Sequence, residues 1–141
     1  MWRPTNARLD WLTARPIAHR GLHDKAAGCE ENSLAAFAAA TTQGFAIECD
    51  LQLSADGEAM VFHDDTLDRL TAETGPVIGR TADDLQQIAY ANGQGTIPTL
   101  SQLLDLADGD VGLIIELKSH WNGDTRLAAR AAELLSSYTG P

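Results

Sequence analysis

Seven polar residues interrupt or close short apolar runs of this 141-residue chain. They comprise two histidines, three carboxylates and two cations, which are, in chain order, His19, Arg20, Glu48, Asp50, His63, Glu116 and Lys118. The runs that contain them are rich in Ile, Val, Leu or Ala, as buried strands are. Parallel α/β proteins build their sites where the carboxyl ends of the strands meet. We therefore expect the seven side chains to share one site.

The carboxylates have the spacing of a site for a hard cation. Glu48 and Asp50 are two residues apart, so on a strand both side chains leave the same face. Two carboxylates held that close repel, and one tends to bind a proton unless a cation lies between them. Glu116 can supply a third oxygen ligand, and three carboxylates suit Mg²⁺ or Ca²⁺ better than a structural zinc. The alternative is a structural network in which each carboxylate pairs with a nearby arginine or lysine.

The two histidines could supply acid and base catalysis. A single histidine after an apolar run is more often a buried structural residue, but His19 and His63 would flank the carboxylates. A phosphodiester displacement needs one group to take a proton from the attacking hydroxyl and another to protonate the departing alkoxide. Arg20 and Lys118 would neutralise charge on the non-bridging oxygens. Because Arg20 follows His19 directly, both reach the site only if the strand ends there.

The elements that must position these residues alternate along the chain. Strands are predicted at 16–20, 45–53, 58–63 and 112–118. Helices are predicted at 33–43, 81–89, 101–107 and 124–138, the first bounded by Asn32 as N-cap and Gly44 as C-cap and the third capped by Thr99. This order predicts a single α/β domain over residues 1–141, made of four βα units with right-handed parallel crossovers.

The composition excludes several classes of partner. The formal net charge of −10 opposes binding to nucleic acid or to anionic membrane surfaces. No apolar run approaches the roughly 18 residues of a membrane span, and the first residues lack the apolar core of a signal peptide. Cys49 lies in an apolar run, where a reduced, buried thiol is expected. A cytoplasmic location fits these features best.

Six segments, in this order and spacing, resemble the glycerophosphodiester phosphodiesterase family, whose members are TIM-type (β/α) barrels related to phosphatidylinositol-specific phospholipases C. The segments are IAHRG at 17–21, ENSLAAF at 31–37, IECDLQLSADG at 47–57, VFHDDTLDRLT at 61–71, IPTLSQLL at 97–104 and IIELK at 114–118. One departure is Glu30, where the family usually has proline, and it should alter only the shape of the loop.

The resemblance implies a role for each of the seven residues. His19 and His63 would be the acid and base, in an order it does not fix. Glu48, Asp50 and Glu116 would be the metal ligands, and Arg20 and Lys118 the phosphate contacts. It also implies the reaction, in which a glycerol hydroxyl or water attacks phosphorus, an alcohol leaves, and glycerol 3-phosphate is the product. The alcohol head group and the choice of Mg²⁺ or Ca²⁺ stay open.

The family barrel has about 250 residues, so the chain is expected to be the N-terminal half of a barrel, truncated at its C-terminus. Exposed edges of the first and last strands would then favour self-association, which a monodisperse monomer in sedimentation would contradict. Two alternatives keep the partial barrel. One acts on lysophospholipids or another phosphodiester, and the other is a non-catalytic binding or assembly module.

The loops around the predicted strands contain a few further polar or aromatic residues. His120 and Trp121 directly follow the fourth predicted strand and could line the mouth of the site. His23 and Asp24 are expected in a solvated loop. Arg69 is expected to anchor its own loop through local carboxylates.

Overall fold

The computed structural model describes residues 9–141, so residues 1–8 of the predicted domain lie outside the described part. Within that part, four strands form one mixed sheet. They are β1 (Ile17–His19), β2 (Ala46–Leu53), β3 (Ala59–Val61) and β4 (Leu113–Leu117). The helices are α1 (Trp11–Ala14), α2 (Leu34–Thr42), α3 (Ala82–Leu85), α4 (Leu100–Ala107) and α5 (Arg126–Leu135). No helix among the described residues is long and apolar enough to cross a membrane.

Strand β2 is the centre of the sheet. It runs parallel to β1, with His19 opposite Glu48, and parallel to β4, with Asp50 opposite Glu116. In the described chain β1 and β4 each pair with β2 alone. The predicted self-association through their free edges stays a prediction.

The third predicted strand, at 58–63, is not parallel, and the prediction of four parallel βα units is wrong. β3 is antiparallel to β2, with Leu53 opposite Ala59. Residues 54–58 are the whole connection, whereas a parallel crossover needs a dozen residues or more. They form a hairpin turn in which the Ser54 N–H donates to the Glu58 carbonyl oxygen at 3.0 Å. The described chain therefore contains three parallel strands and one antiparallel strand.

Side-chain caps fix where two helices begin. Thr99 caps α4 as predicted, and Gln102 completes a capping box, with side-chain to backbone distances of 3.2 and 2.9 Å. Helix α2 is capped by Ser33, whose hydroxyl accepts from the Ala36 N–H at 3.1 Å. The predicted cap, Asn32, lies one residue earlier, so its side chain is free for another role.

Two apolar clusters hold the strands in place. The larger lies between the sheet and helices α2, α4 and α5, and it includes Phe37, Ile47, Leu51, Leu100 and the reduced Cys49. The smaller forms under the long segment between β3 and α4 and includes Phe62, Leu67, Leu85, Tyr90 and Ile97. The second cluster explains how a polar, loop-rich segment is fixed, because its apolar residues are buried together.

We expect Gly21→Ala to destabilise the fold far more than Gly57→Ala. Gly21 has φ +79°, and an added Cβ would lie 2.8 Å from the Ala36 Cβ. A left-handed alanine costs about 1–2 kcal/mol, and overpacking adds about 1–3 kcal/mol. Gly57 has φ +89° but nothing within 4 Å of the added Cβ, so only the first cost applies. Urea denaturation measures both, and equal losses would contradict the packing argument.

Candidate metal-binding and catalytic site

The three predicted carboxylate ligands meet on one face of the sheet. Glu48 and Asp50 are on β2, and the register of β2 with β4 sets Glu116 opposite Asp50. One oxygen from each carboxylate lies within 4.8 Å of the others. The side chain of Asp50 is 1% exposed, whereas that of Glu116 is 55% exposed. A cation bound here would contact the buried Asp50 on one side and would be accessible to solvent near Glu116.

Asp50 is the buried centre of the cluster. Its Oδ2 accepts from the Asn32 side-chain amide at 3.0 Å, and its Oδ1 lies 3.1 Å from Lys118 Nζ. Burial by itself would raise the pKa of Asp50, but the bonds from Asn32 and Lys118 outweigh it and lower that pKa below its ordinary value. Asn32 has φ 54°, a conformation that asparagine tolerates. This contact was not predicted from the sequence.

A left-handed residue at the end of β1 brings two neighbouring side chains to the site. Strand β1 ends at His19, and Arg20 has φ 58°. His19 Nε2 lies 3.9 Å from Glu48 Oε2, and the Arg20 backbone N–H donates to that oxygen at 3.1 Å. Arg20 Nε lies 3.4 Å from Asp50 Oδ2. The condition set from the sequence, that the strand must end there, is met.

Lys118 neutralises the other side of the cluster. Its Nζ lies 3.1 Å from Asp50 Oδ1 and 2.8 Å from Glu116 Oε1. Burial would lower the pKa of Lys118, but hydrogen bonds to the two carboxylates raise it above its ordinary value. Two cations, Arg20 and Lys118, therefore stand beside the three acids.

His63 reaches the same face by an unexpected path. β3 is antiparallel to the last residues of β2, so the chain after β3 lies beside Asp50. There the Phe62 N–H donates to the Asp50 carbonyl oxygen at 3.0 Å. His63 follows at once, and its Nδ1 lies 2.7 Å from Asp64 Oδ1. Gln52 fixes its backbone by donating to the His63 carbonyl oxygen at 3.0 Å.

An open cleft of about 650 Å³ lies beside the cluster. The residues that we expected at the mouth of the site contribute to it, and the side chain of Trp121 is almost fully exposed. The cleft is lined in part by His63, Glu116, Lys118, His120 and Trp121.

His23 and Asp24 lie elsewhere, in an exposed loop. Asp24 caps a short 3₁₀ helix, Lys25–Ala27, by accepting from two backbone N–H groups. This local role agrees with the solvated loop expected from the sequence.

Glu31 is a buried carboxylate that was not predicted to belong to the site. Burial would raise the pKa of Glu31, but Arg69 and Arg20 both donate to it and lower that pKa. Arg69 also donates to Asp64, which lowers the pKa of Asp64 to about 2. Arg69 therefore does more than anchor its own loop. Glu31 lies in the ENSLAAF segment, which had been noted in the sequence. Its partner Arg69 is 38 residues away, so no local pattern in the sequence indicated the contact.

Solved phosphodiesterase structures share this arrangement of the chain. A phosphodiesterase from Oleispira antarctica, solved in complex with the product sn-glycerol-3-phosphate, is similar with a TM-score of 0.77 and 32% identity. The likeness covers 89% of this chain and 52% of that one.

Residues 19–136 match the Glycerophosphoryl diester phosphodiesterase family, and the chain belongs to this family. The protein YhdW of Bacillus subtilis is 39% identical over an alignment of 111 residues, which covers 74% of this chain and 44% of that protein. A glycerophosphodiester phosphodiesterase of Caldanaerobacter subterraneus is 37% identical over an alignment of 111 residues, which covers 73% of this chain and 44% of that enzyme. The chain thus spans less than half the length of these two relatives.

Proposed function

We propose that the protein hydrolyses glycerophosphodiesters to sn-glycerol 3-phosphate and an alcohol. The observation that carries the proposal is the meeting of three carboxylates, two cations and two histidines on one face of the sheet, in a member of this family. The product bound to the Oleispira antarctica relative supports the substrate class. We also propose that residues 1–141 are the N-terminal half of a TIM-type barrel. The cytoplasmic location stays a prediction.

The donor set fits a divalent cation, and we propose Mg²⁺ or Ca²⁺ bound by Glu48, Asp50 and Glu116. All three ligands are oxygen donors within 4.8 Å of one another, as a hard cation requires. Three clustered carboxylates beside two cations leave one formal negative charge, and a divalent ion would make the site net positive, as the binding of an anionic phosphodiester favours. When bound, the ion supplies Lewis-acid stabilisation of charge on the phosphoryl oxygens.

The two histidines carry the proton transfers. One takes the proton from the attacking hydroxyl of glycerol or water as its oxygen bonds to phosphorus. The other donates a proton to the alcohol oxygen as its bond to phosphorus breaks. His19 is exposed beside Glu48, and His63 lines the cleft, so both can meet a substrate from solvent.

Arg20 and Lys118 would bind the non-bridging oxygens. The Nε of Arg20 is buried and makes no hydrogen bond within the described residues, although it lies 3.4 Å from Asp50. The side chain of Arg20 is 18% exposed and pairs with Glu31 and Asp50, so its charge lies beside the cluster, where it would attract a phosphate oxygen. Lys118 directly follows β4 and lines the cleft, and both cations pair with Asp50.

The test is hydrolysis of glycerophosphocholine by the protein expressed from its complete reading frame. We expect release of glycerol phosphate with Mg²⁺ or Ca²⁺, and loss of that release with EDTA, because the carboxylates would then repel the substrate phosphate. Adding the cation back should restore turnover. Release that continues in EDTA would contradict the metal-assisted mechanism. The proposed substrate class would be wrong if the folded protein binds the cation and hydrolyses other phosphodiesters but not glycerophosphocholine.

A further inference from the structure

Arg69 joins two carboxylates that are far apart in the sequence, Asp64 and Glu31. One edge of its guanidinium faces Asp64, with Nε to Oδ2 at 2.7 Å and Nη2 to Oδ1 at 2.8 Å. The other edge faces Glu31, with Nη2 to Oε1 at 2.7 Å and Nη1 to Oε2 at 3.1 Å. Both pairings are bidentate. Such pairings fix orientation as well as supplying attraction.

Each of these two carboxylates also contacts a residue of the proposed site. Asp64 Oδ1 lies 2.7 Å from His63 Nδ1. Glu31 Oε1 accepts from Arg20 Nη1 at 2.9 Å, and the side chain of Glu31 is only 11% exposed. A continuous chain of ion pairs and hydrogen bonds therefore runs from His63, through Arg69, to Arg20.

The contact at Nδ1 determines which face of the imidazole is available. A carboxylate acceptor favours the proton on Nδ1 in neutral histidine, which leaves the lone pair on Nε2. The Nδ1 of His63 is already engaged by Asp64, so only Nε2 is free to exchange a proton with a ligand in the cleft.

We propose that Arg69 is a positioning residue of the active site, which holds the His63 imidazole through Asp64 and the Arg20 guanidinium through Glu31. The proposal rests on the proposed function for its catalytic consequence, because it assigns His63 and Arg20 to the reaction. The geometry of this clamp, which Arg69 forms with Asp64 and Glu31, is independent of that assignment.

Lysine cannot replace Arg69 in this geometry. A planar guanidinium presents two edges at a fixed angle, and here four of its N–H groups are aimed at four carboxylate oxygens. An ammonium keeps the charge but is a point donor on a flexible stem. Arg69→Lys therefore separates the orienting effect from the charge. Arg80→Lys is the matched control, because Arg80 forms an exposed pair with Glu73, away from the cleft.

The experiment combines nitrogen NMR of the His63 imidazole with steady-state kinetics. At about pH 8, where an ordinary histidine is neutral, the ¹⁵N shifts of the parent protein should report a proton on Nδ1. In Arg69→Lys they should report a mixture of the two tautomers. For glycerophosphocholine, kcat should fall about tenfold to a hundredfold, as expected for a misplaced catalytic group. Arg80→Lys should change neither measurement.

Unchanged His63 shifts and unchanged kcat in Arg69→Lys would overturn the proposal. If circular dichroism shows that Arg69→Lys loses activity because it unfolds, Asp64→Ala is the second variant to measure. A folded Asp64→Ala protein with an unaltered His63 tautomer would also overturn the proposal. The NMR measurement requires no turnover. A protein with the Nδ1 tautomer but without hydrolysis would therefore refute the proposed function and leave the clamp supported.

Discussion

Removal of either proposed catalytic imidazole is expected to lower kcat for glycerophosphocholine by about 10²–10⁴-fold, the usual contribution of a positioned acid or base. His19→Ala removes the group beside Glu48, and His63→Ala removes the group in the cleft. The cation should still bind, because neither histidine belongs to the carboxylate cluster. Steady-state kinetics with matched calorimetric titrations of Mg²⁺ and Ca²⁺ would measure both effects.

The control for the histidine variants is His23→Ala. His23 is exposed in a loop that does not line the cleft, so its removal should change kcat by less than about twofold, as expected for a surface position. If His23→Ala is as damaging as the other two, general loss of structure explains the result. If His19→Ala or His63→Ala keeps full activity, the proposed role of that residue is wrong.

A change of leaving group would show which histidine is the acid. A nitrophenolate leaves without protonation, so a variant that lacks only the general acid should regain much of its activity on a nitrophenyl phosphodiester. The variant that lacks the base should stay impaired on both substrates. Because one histidine would be the acid and the other the base, the two variants should not behave alike.

The second large effect is expected from Asp50→Asn, which removes the buried ligand of the carboxylate cluster. Changes in residues that merely orient a ligand cost about 10–100-fold in metal affinity, and loss of a direct ligand should cost at least as much. The amide keeps the size of the side chain and loses its charge. Calorimetry with Ca²⁺ and Mg²⁺ would measure the affinity, and turnover should be lost in parallel.

The same variant separates a metal site from a structural network of ion pairs. Asp50 contacts Lys118, Arg20 and Asn32, so its loss should destabilise the fold even without a cation. A cation that binds only the folded state adds stability as its concentration exceeds Kd. Urea denaturation of the parent protein should therefore shift with added cation, and that of Asp50→Asn should not. A shift of equal size in both would contradict the metal assignment.

Asp105→Asn provides the matched control for Asp50→Asn. Asp105 is an exposed carboxylate on α4, outside the cluster. The substitution makes the same chemical change at a position that contacts none of the proposed ligands. Cation affinity, turnover and the cation-induced gain in stability should all match those of the parent protein.

Local patterns in the sequence were sufficient to predict much of the site. The spacing of Glu48 and Asp50 placed both carboxylates on one face, because side chains alternate along any strand. Thr99 was predicted to cap α4, since the cap is satisfied within four residues. The strand that contains Glu116 was evident from its apolar run. The parallel register that sets Glu116 opposite Asp50 agreed with the expected meeting of strand ends.

The tertiary structure alone decided by which path distant residues reach the site and which further residues support them. The antiparallel return of β3 brings His63 to the level of Asp50, although the short connection at 54–58 already disfavoured a parallel crossover. Asn32 was predicted to cap a helix, but its left-handed backbone directs its side chain to Asp50. The clamp at Arg69 spans 38 residues to Glu31. Such contacts leave no periodic trace in a sequence, because their geometry is set by the packing of separate elements.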